Sequence, residues 1–236
     1  MLIRTAPSLT NQVYPAVLDE ICDGMLAPGT QLVQEQLADR FGVSRQPIQQ
    51  AMALLKADGL VEETGRRGMR VVPLDIALMR HHYEIRASLD RLAVRRTAER
   101  FACDPALARE AERRSAKVLD AGNRAVCAVK VREQIRHDEA FHALFYEFSG
   151  NPLLSRTAEP HWRFLRRVMG EVLRHAAPAD AIWREHAGIL EAILAGEAAK
   201  AEALAVTHIE RAADALADAL KDRPAEDGTV MQDRSA

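Results

Sequence analysis

The feature that most constrains this chain is a long stretch after Pro73 in which nearly every residue fits a helical pattern. From Leu74 to Arg223, alanine, leucine, arginine and glutamate dominate, and no run of residues suits a strand. Turn-forming residues interrupt this stretch at Asp104-Pro105, Gly122-Asn123, Gly150-Asn151-Pro152, Pro178 and Gly196. We therefore predict an all-α domain, with six helices or a seventh if the first is split, near residues 75–101, 104–121, 126–149, 152–175, 179–195 and 198–221.

The residues before Pro73 follow another pattern, in which three short helices precede two strands. The first helix buries Val13, Val17 and Ile21 behind a cap at Thr10 or Asn11. The second covers residues 34–41 and ends at Gly42.

A third helix follows directly, and Ser44 is its predicted cap. Pro47 is tolerated in the first turn, where a backbone donor is not needed. The expected buried face is Ala51, Leu54 and Leu55. Two helices joined by a turn at residues 41–44 make a helix-turn-helix.

Two short strands on either side of a turn at residues 65–68 complete this part of the chain as a wing. The segment from Arg40 to Arg70 holds three acidic residues against six basic ones, namely Arg40, Arg45, Lys56, Arg66, Arg67 and Arg70. The formal net charge of the whole chain is only -2. The excess of positive charge in this segment is the sign expected of a local nucleic-acid surface.

Asp138 and His142 break the apolar stripe of the helix predicted near residues 126–149. They stand four residues apart, so both point from one face toward the core. His186 and His208 point inward in the same way from two later helices. One inward histidine is usually a hydrogen-bonded core residue, but three with an aspartate favour a metal site. Three imidazoles and one carboxylate suit one Zn, Ni, Co, Mn or Fe ion per chain better than Mg or Ca.

Cysteine content and hydropathy bound the surroundings of the protein. Three widely separated cysteines, Cys22, Cys103 and Cys127, favour neither a disulfide framework nor a cysteine zinc site. No window approaches the roughly 18 apolar residues of a membrane helix. We therefore expect a cytoplasmic protein that does not enter a membrane.

The first part of the chain resembles the winged helix-turn-helix of the GntR family of bacterial transcription regulators. The resemblance rests on Pro28-Gly29, on the run from Leu37 to Pro47, and on Gly59-Leu60-Val61 with Arg67-Gly68. It implies a DNA-binding domain over residues 1–73 whose expected contacts are Arg40, Ser44, Arg45, Gln46, Gln49, Arg66, Arg67 and Gly68. The family usually has Arg-Glu where this chain has Gln49-Gln50, so the operator sequence cannot be taken from relatives.

The second part resembles the FCD ligand-binding domain that follows such winged helices. Residues 84–90, Phe141-His142, residues 149–153 and Glu185-His186 carry this resemblance. It implies a helical domain over residues 74–223, with a disordered tail over 224–236. It also implies a divalent cation held by Asp138, His142, His186 and His208. Arg86 would bind the carboxylate of an effector, and its alternative role is an ion pair with Asp90.

The resemblance implies a homodimeric regulator that binds a pseudo-palindromic operator and responds to a small organic acid. Two alternatives stay open at this stage. One is a repressor that senses the metal ion itself. The other is a metalloenzyme fused to a DNA-binding domain, against which stand the missing general base and nucleophile motifs. We expect no enzymatic activity.

Overall fold

The computed structural model describes residues 8–65, 68–175 and 180–222. Two compact units are present, one among the residues up to Leu74 and one from Asp75 to Asp222. Pro178, Arg66, Arg67 and the tail predicted over residues 224–236 lie outside the described residues.

Within residues 8–65 and 68–74, the first unit combines three helices with a small antiparallel sheet. Its helices are α1 (Leu9–Cys22), α2 (Gln34–Phe41) and α3 (Arg45–Ala57). Its strands are β1 (Gln31–Leu32), β2 (Val61–Thr64) and β3 (Gly68–Val71), in the order β1-β3-β2. The predicted winged helix-turn-helix is confirmed, and β1 is an additional strand that was too short to predict from its sequence.

Local details of the first unit differ from the prediction in three places. Ser8 caps α1, accepting a hydrogen bond from the backbone of Asn11, so the helix begins before the predicted caps. Ser44 occupies the cap position of α3, but its side chain makes no capping hydrogen bond. Leu54 was predicted to be buried and is 47% exposed, while Ile48 and Met52 fill the core instead. The buried face of α3 is therefore rotated from the predicted one, since Ile48 and Met52 share a core cluster with the buried residues of α1 and Leu54 does not.

The described residues of the second unit form six helices. They are α4 (Ile76–Cys103), α5 (Pro105–Cys127), α6 (Val131–Phe148), α7 (Pro152–Leu173), α8 (Asp180–Leu194) and α9 (Ala198–Lys221). The predicted all-α bundle is confirmed, and α4 is one unbroken helix. Asp75, Asp104 and Asn151 cap α4, α5 and α7 with side-chain acceptors, which explains why these starts were readable from the sequence.

The predicted break at Gly122-Asn123 is wrong, because α5 continues to Cys127. Gly122 is buried beneath the indole of Trp183 on α8, and a methyl group at this position would overlap that ring. The glycine therefore allows two helices to approach closely instead of ending one. The helix ends after Cys127, where Val129 has a φ of 53° and the backbone N–H of Lys130 donates to Ala125.

We expect Gly122→Ala to destabilise the protein by about 1–3 kcal/mol, because the added methyl group must displace Trp183. Alanine normally stabilises the interior of a helix relative to glycine by roughly 0.5–1 kcal/mol. Gly188 on α8 is the matched control, since a methyl group there meets no atom within 4 Å. Urea unfolding of both variants should therefore give changes of opposite sign. A stabilised Gly122→Ala variant would contradict the packing role.

Candidate functional site

The four predicted metal ligands come together inside the helical bundle. Helix α6 carries Asp138 and His142, α8 carries His186, and α9 carries His208. One ligand atom from each residue lies within 4.8 Å of the corresponding atoms of the other three. The Nε2 atom of His186 is 3.1 Å from Nε2 of His208 and 3.3 Å from Oδ1 of Asp138. The three imidazoles are buried, while the Asp138 side chain is 15% exposed.

Two further carboxylates orient the imidazoles of His142 and His208 through their Nδ1 atoms. Nδ1 of His142 is 3.0 Å from Oδ2 of Asp90 on α4, and Nδ1 of His208 is 2.9 Å from Oε2 of Glu185 on α8. When Nδ1 of His142 or His208 carries the proton, its N–H donates to the carboxylate and Nε2 keeps a free lone pair. The ring of His186 is held by stacking on Phe141, with 4.3 Å between centroids.

The electrostatic environment keeps the ligands in the form that binds a cation. Burial, together with the nearby Arg86, holds the pKa of His142 well below its usual value. Burial and the neighbouring His186 lower the pKa of His208 to about 4. Burial alone would raise the pKa of Asp138, but the hydrogen bond from His186 and the charges of His142 and Arg86 lower it. At neutral pH His142 and His208 are therefore neutral imidazoles and Asp138 is a carboxylate.

These residues fit a transition metal ion in donor type, spacing and hydrogen bonding. Two donors on one ion lie about 3–4 Å apart, because each is about 2.0–2.2 Å from it. Nε2 of His142 is buried without a hydrogen-bond partner among the described residues, although it points toward Asp138 at 4.0 Å. A cation would satisfy this atom, whose isolation otherwise costs free energy.

Arg86 lies beside the ligand cluster as a buried cation. Its Nε atom is 3.5 Å from Oδ2 of Asp90, and its Nη2 atom is 3.8 Å from Oδ2 of Asp138. Its guanidinium stacks on Trp162, with 3.9 Å between Cζ and the ring centroid. Burial would lower its pKa, but Asp90 and Asp138 raise it, so the group stays charged. Nε and Nη2 make no hydrogen bond to any described residue.

Sequence reasoning missed most of the residues that support the site. Asp90 was considered only as an ion-pair partner of Arg86, yet it also contacts His142, and the Tyr146 hydroxyl donates to it. Burial raises the pKa of Asp90, while Arg86 opposes that shift. The sequence indicates Glu185 only as part of the resemblance to the FCD domain, and not as the partner of His208. The position of Glu185 next to His186 carries no signal until α8 and α9 are placed together.

The expected DNA contacts that the structure describes lie on α2, on α3 and on the wing. Arg40 is on α2, while Ser44, Arg45, Gln46 and Gln49 occupy the start of α3, and all five are exposed. Gly68 begins β3, where a side chain would overlap Thr64. The structure thus leaves the N-terminal part of α3 accessible, as a recognition helix requires.

Between Arg40 and Arg70, each basic residue that the structure describes has an acidic partner. Arg40 pairs with Glu20, and Arg45 pairs with Glu35. Lys56 is 2.8 Å from Glu63, and Arg70 is 2.7 Å from Glu62. All four pairs are solvent-accessible, so each contributes little to stability and can be exchanged for a phosphate. The positive charge counted from the sequence is consequently partly neutralised on the folded surface.

None of the helices within residues 8–65, 68–175 and 180–222 combines the length and apolar character needed to span a bilayer.

Two family models match the chain. The model described as bacterial regulatory proteins of the gntR family matches residues 9–71, and the FCD domain model matches residues 81–211. The HTH-type transcriptional regulator YdhC of Bacillus subtilis is 32% identical over 199 residues, which cover 82% of this chain and 85% of that protein. The HTH-type transcriptional repressor RspR of Escherichia coli is 23% identical, covering 88% and 89% of the two chains.

Solved structures share the fold. Escherichia coli McbR/YncC superimposes with a TM-score of 0.74 and 20% identity, covering 89% of this chain and 98% of that one. A protein of Rhodococcus sp. RHA1 assigned to the GntR regulators also has a TM-score of 0.74, with 21% identity over 92% of this chain and all of its own. These relatives and domains are those of regulators, and they give no support to the metalloenzyme alternative. The chain belongs to the GntR family of bacterial transcriptional regulators, with a winged helix-turn-helix followed by an FCD domain.

Proposed function

We propose that this regulator binds a pseudo-palindromic operator as a homodimer and is switched by a small organic acid at a metal-containing site. The domains proposed for these roles are residues 1–73 and 74–223. The observation that carries the proposal is the pairing of a four-ligand cluster with a charged, buried arginine, since Nη2 of Arg86 lies 3.8 Å from Asp138. A cation and a guanidinium so close together favour an anionic ligand.

In this proposal Asp138, His142, His186 and His208 hold one Zn, Ni, Co, Mn or Fe ion. The ion would supply a Lewis-acidic anchor for the oxygens of the effector. Arg86 would supply charge and orientation, because its planar fork matches a carboxylate. Its unsatisfied Nε and Nη2 atoms support this role, since a carboxylate would provide the missing acceptors. The partly exposed Asp138 marks the side from which a ligand would enter.

The proposed DNA contacts are Arg40, Ser44, Arg45, Gln46, Gln49, Arg66, Arg67 and Gly68. Support comes from the exposure of the described members on α2 and α3. Gln49 suits adenine in the major groove, where an amide side chain pairs with N6 and N7. The effector would act by favouring one spacing of two winged helices over another, which requires that it bind the two states with different affinity.

An exposed apolar line on α4 supports the homodimer. Leu78, Ile85 and Leu92 are large, exposed and spaced by seven residues, so they lie on one face over about 21 Å of helix. A two-fold axis near Ile85 would bring this face of one protomer against the same face of its partner. The area would be self-complementary, as an isologous interface requires.

We expect Ile85→Arg to convert the dimer into monomers, because the interface would bury two unpaired guanidinium groups near its centre. Sedimentation velocity across a concentration series measures the change. Leu153→Arg is the control, since Leu153 is an exposed leucine outside this line, on α7. Dimers that persist in the Ile85 variant would place the interface elsewhere.

The effector proposal predicts stabilisation by a carboxylate that depends on both the metal and Arg86. Thermal-shift measurements with a panel of mono- and dicarboxylates would be run on metal-loaded and chelated protein. We expect at least one acid to stabilise only the loaded form. Arg86→Lys should lower the affinity for that acid about tenfold or more while the protein retains the metal, because lysine keeps the charge but loses the bidentate fork.

Two other outcomes would redirect the assignment. If the metal ion changes operator binding without any organic acid, the protein would be a metal-sensing repressor. The burial of all three imidazoles gives that alternative some support, because the ligand cluster is nearly closed. Equal stabilisation of loaded and chelated protein by the same acid would make Arg86 the main determinant of the site.

A further inference from the structure

A pair of histidines joins α4 to α7. It shares no residue with the group of Asp138, His142, His186 and His208, which we call the Asp138 cluster. Nδ1 of His82 on α4 lies 3.0 Å from Nδ1 of His161 on α7. The two rings are inclined by 68°, with 5.1 Å between their centroids. His82 stacks on Phe164, with an interplanar angle of 3° and 4.1 Å between centroids. The fold thus fixes the spacing and the orientation of both imidazoles.

The spacing of the two nitrogens fits two neighbouring ligands of one metal ion. Metal–nitrogen distances of about 2.0–2.1 Å and a separation of 3.0 Å require an angle near 95° at the metal. A tetrahedral ion would need about 3.4 Å at the same bond lengths. Angles close to 90° are those of square-planar or tetragonal sites, which Cu²⁺ and Ni²⁺ prefer.

Both rings are available in the neutral form. Burial, followed by the charge of His161 and then that of His81, lowers the pKa of His82 to about 4. Burial also lowers the pKa of His161. Without a cation, one Nδ1 donates a proton to the other, and a metal would replace that shared proton after one ring changes tautomer. Both side chains are only half-buried, so water can complete the coordination.

We propose that His82 and His161 form a second transition-metal site of the open, two-imidazole type, with Cu²⁺ and Ni²⁺ as its preferred ions and water in the remaining positions. The ion would cross-link α4 to α7. This inference does not depend on the proposed effector or on the Asp138 cluster.

The test uses Ni²⁺ on full-length, tag-free protein whose Asp138 cluster has first been loaded with Zn²⁺. Nickel is preferable to copper as the probe because Cys103 and Cys127 are exposed thiols that bind and reduce copper. After gel filtration, both metals are quantified per chain. We expect about one added Ni²⁺ in the wild type with Zn²⁺ retained.

His82→Phe and His161→Phe remove the nitrogens while keeping an aromatic ring, and His82→Phe keeps the stack on Phe164. Each should lose the added Ni²⁺ and the rise in melting temperature that accompanies it, with Zn²⁺ unchanged. His175→Phe is the control, since His175 is exposed and outside the pair. Retained Zn²⁺ and a cooperative melt verify the fold of each variant. A wild type that binds no added Ni²⁺, or Ni²⁺ retained in both variants, would reduce the pair to a hydrogen bond.

Discussion

His186→Ala should release the metal and abolish the difference in melting temperature between metal-loaded and chelated protein. His186 is fully buried, and its Nε2 atom faces both His208 and Asp138. Its loss removes one of the four donors, so that only Asp138, His142 and His208 remain to hold the ion. Mutating a residue that only hydrogen-bonds to a metal ligand typically lowers metal affinity by 10–100-fold. For a ligand itself we therefore expect a fall in metal affinity of about 100-fold or more.

The expected size of the thermal effect follows from linkage. An ion at 100 times its dissociation constant stabilises the native state by about 2.7 kcal/mol. For a chain of this length each kcal/mol shifts the melting temperature by roughly 2–4 °C, so the metal should contribute about 5–10 °C. The alanine also leaves a cavity, which lowers the melting temperature with or without metal. The difference between loaded and chelated protein isolates the contribution of the ion.

Metal stoichiometry by elemental analysis accompanies the melting experiment. His175→Ala is the matched control, because His175 is exposed and outside the ligand cluster. It should retain the metal and the full thermal difference. An unchanged stoichiometry in His186→Ala would remove His186 from the site and leave the four residues as a buried polar cluster.

Arg45→Ala should strongly weaken sequence-specific DNA binding while the fold remains intact. Arg45 is the first residue of α3, and its side chain is exposed and paired with the exposed Glu35. Recognition helices present their N-terminal residues to base edges, where arginine binds guanine through two hydrogen bonds. Loss of such a contact costs about 1–3 kcal/mol, or roughly 5- to 150-fold in affinity.

A binding site for the measurement can be selected from random DNA with the wild-type protein. Affinities for that site and for unrelated DNA are then compared at fixed salt, because phosphate contacts depend strongly on ionic strength. Lys56→Ala removes the same charge from the last turn of α3, where Lys56 pairs with Glu63 at 2.8 Å. It should weaken both DNAs alike or leave them unchanged. Equal affinity of Arg45→Ala and wild type for the selected site would exclude Arg45 from base recognition.

Helix periodicity was sufficient to identify the four proposed metal ligands as inward residues. Asp138 and His142 are one turn apart on α6, so their shared face could be predicted without knowing any partner. Periodicity was less reliable where several faces are apolar. On α3, Leu54 continues the apolar pattern, yet Met52 is buried in the core of the first unit and Leu54 is exposed.

The supporting residues of the site depend on contacts between distant parts of the chain. Glu185 reaches His208 across 23 positions, and Asp90 reaches His142 from another helix. Neither contact leaves a periodic signal in the sequence. Gly122 shows the same limit, because a glycine that ends a helix and one that admits an indole ring look alike until α8 is in place.

The sequence by itself determined the family, the kind and order of the elements apart from the short β1, and the inward positions of the four proposed metal ligands. These depend on local backbone preferences, capping side chains and the repeat of apolar residues along each helix. Only the tertiary structure decided which inward groups meet. It placed three imidazoles and a carboxylate within 4.8 Å of one another, and it set Arg86 between two acids and against Trp162. Packing decides these contacts because the free energy of a buried charge depends on partners that distant helices supply.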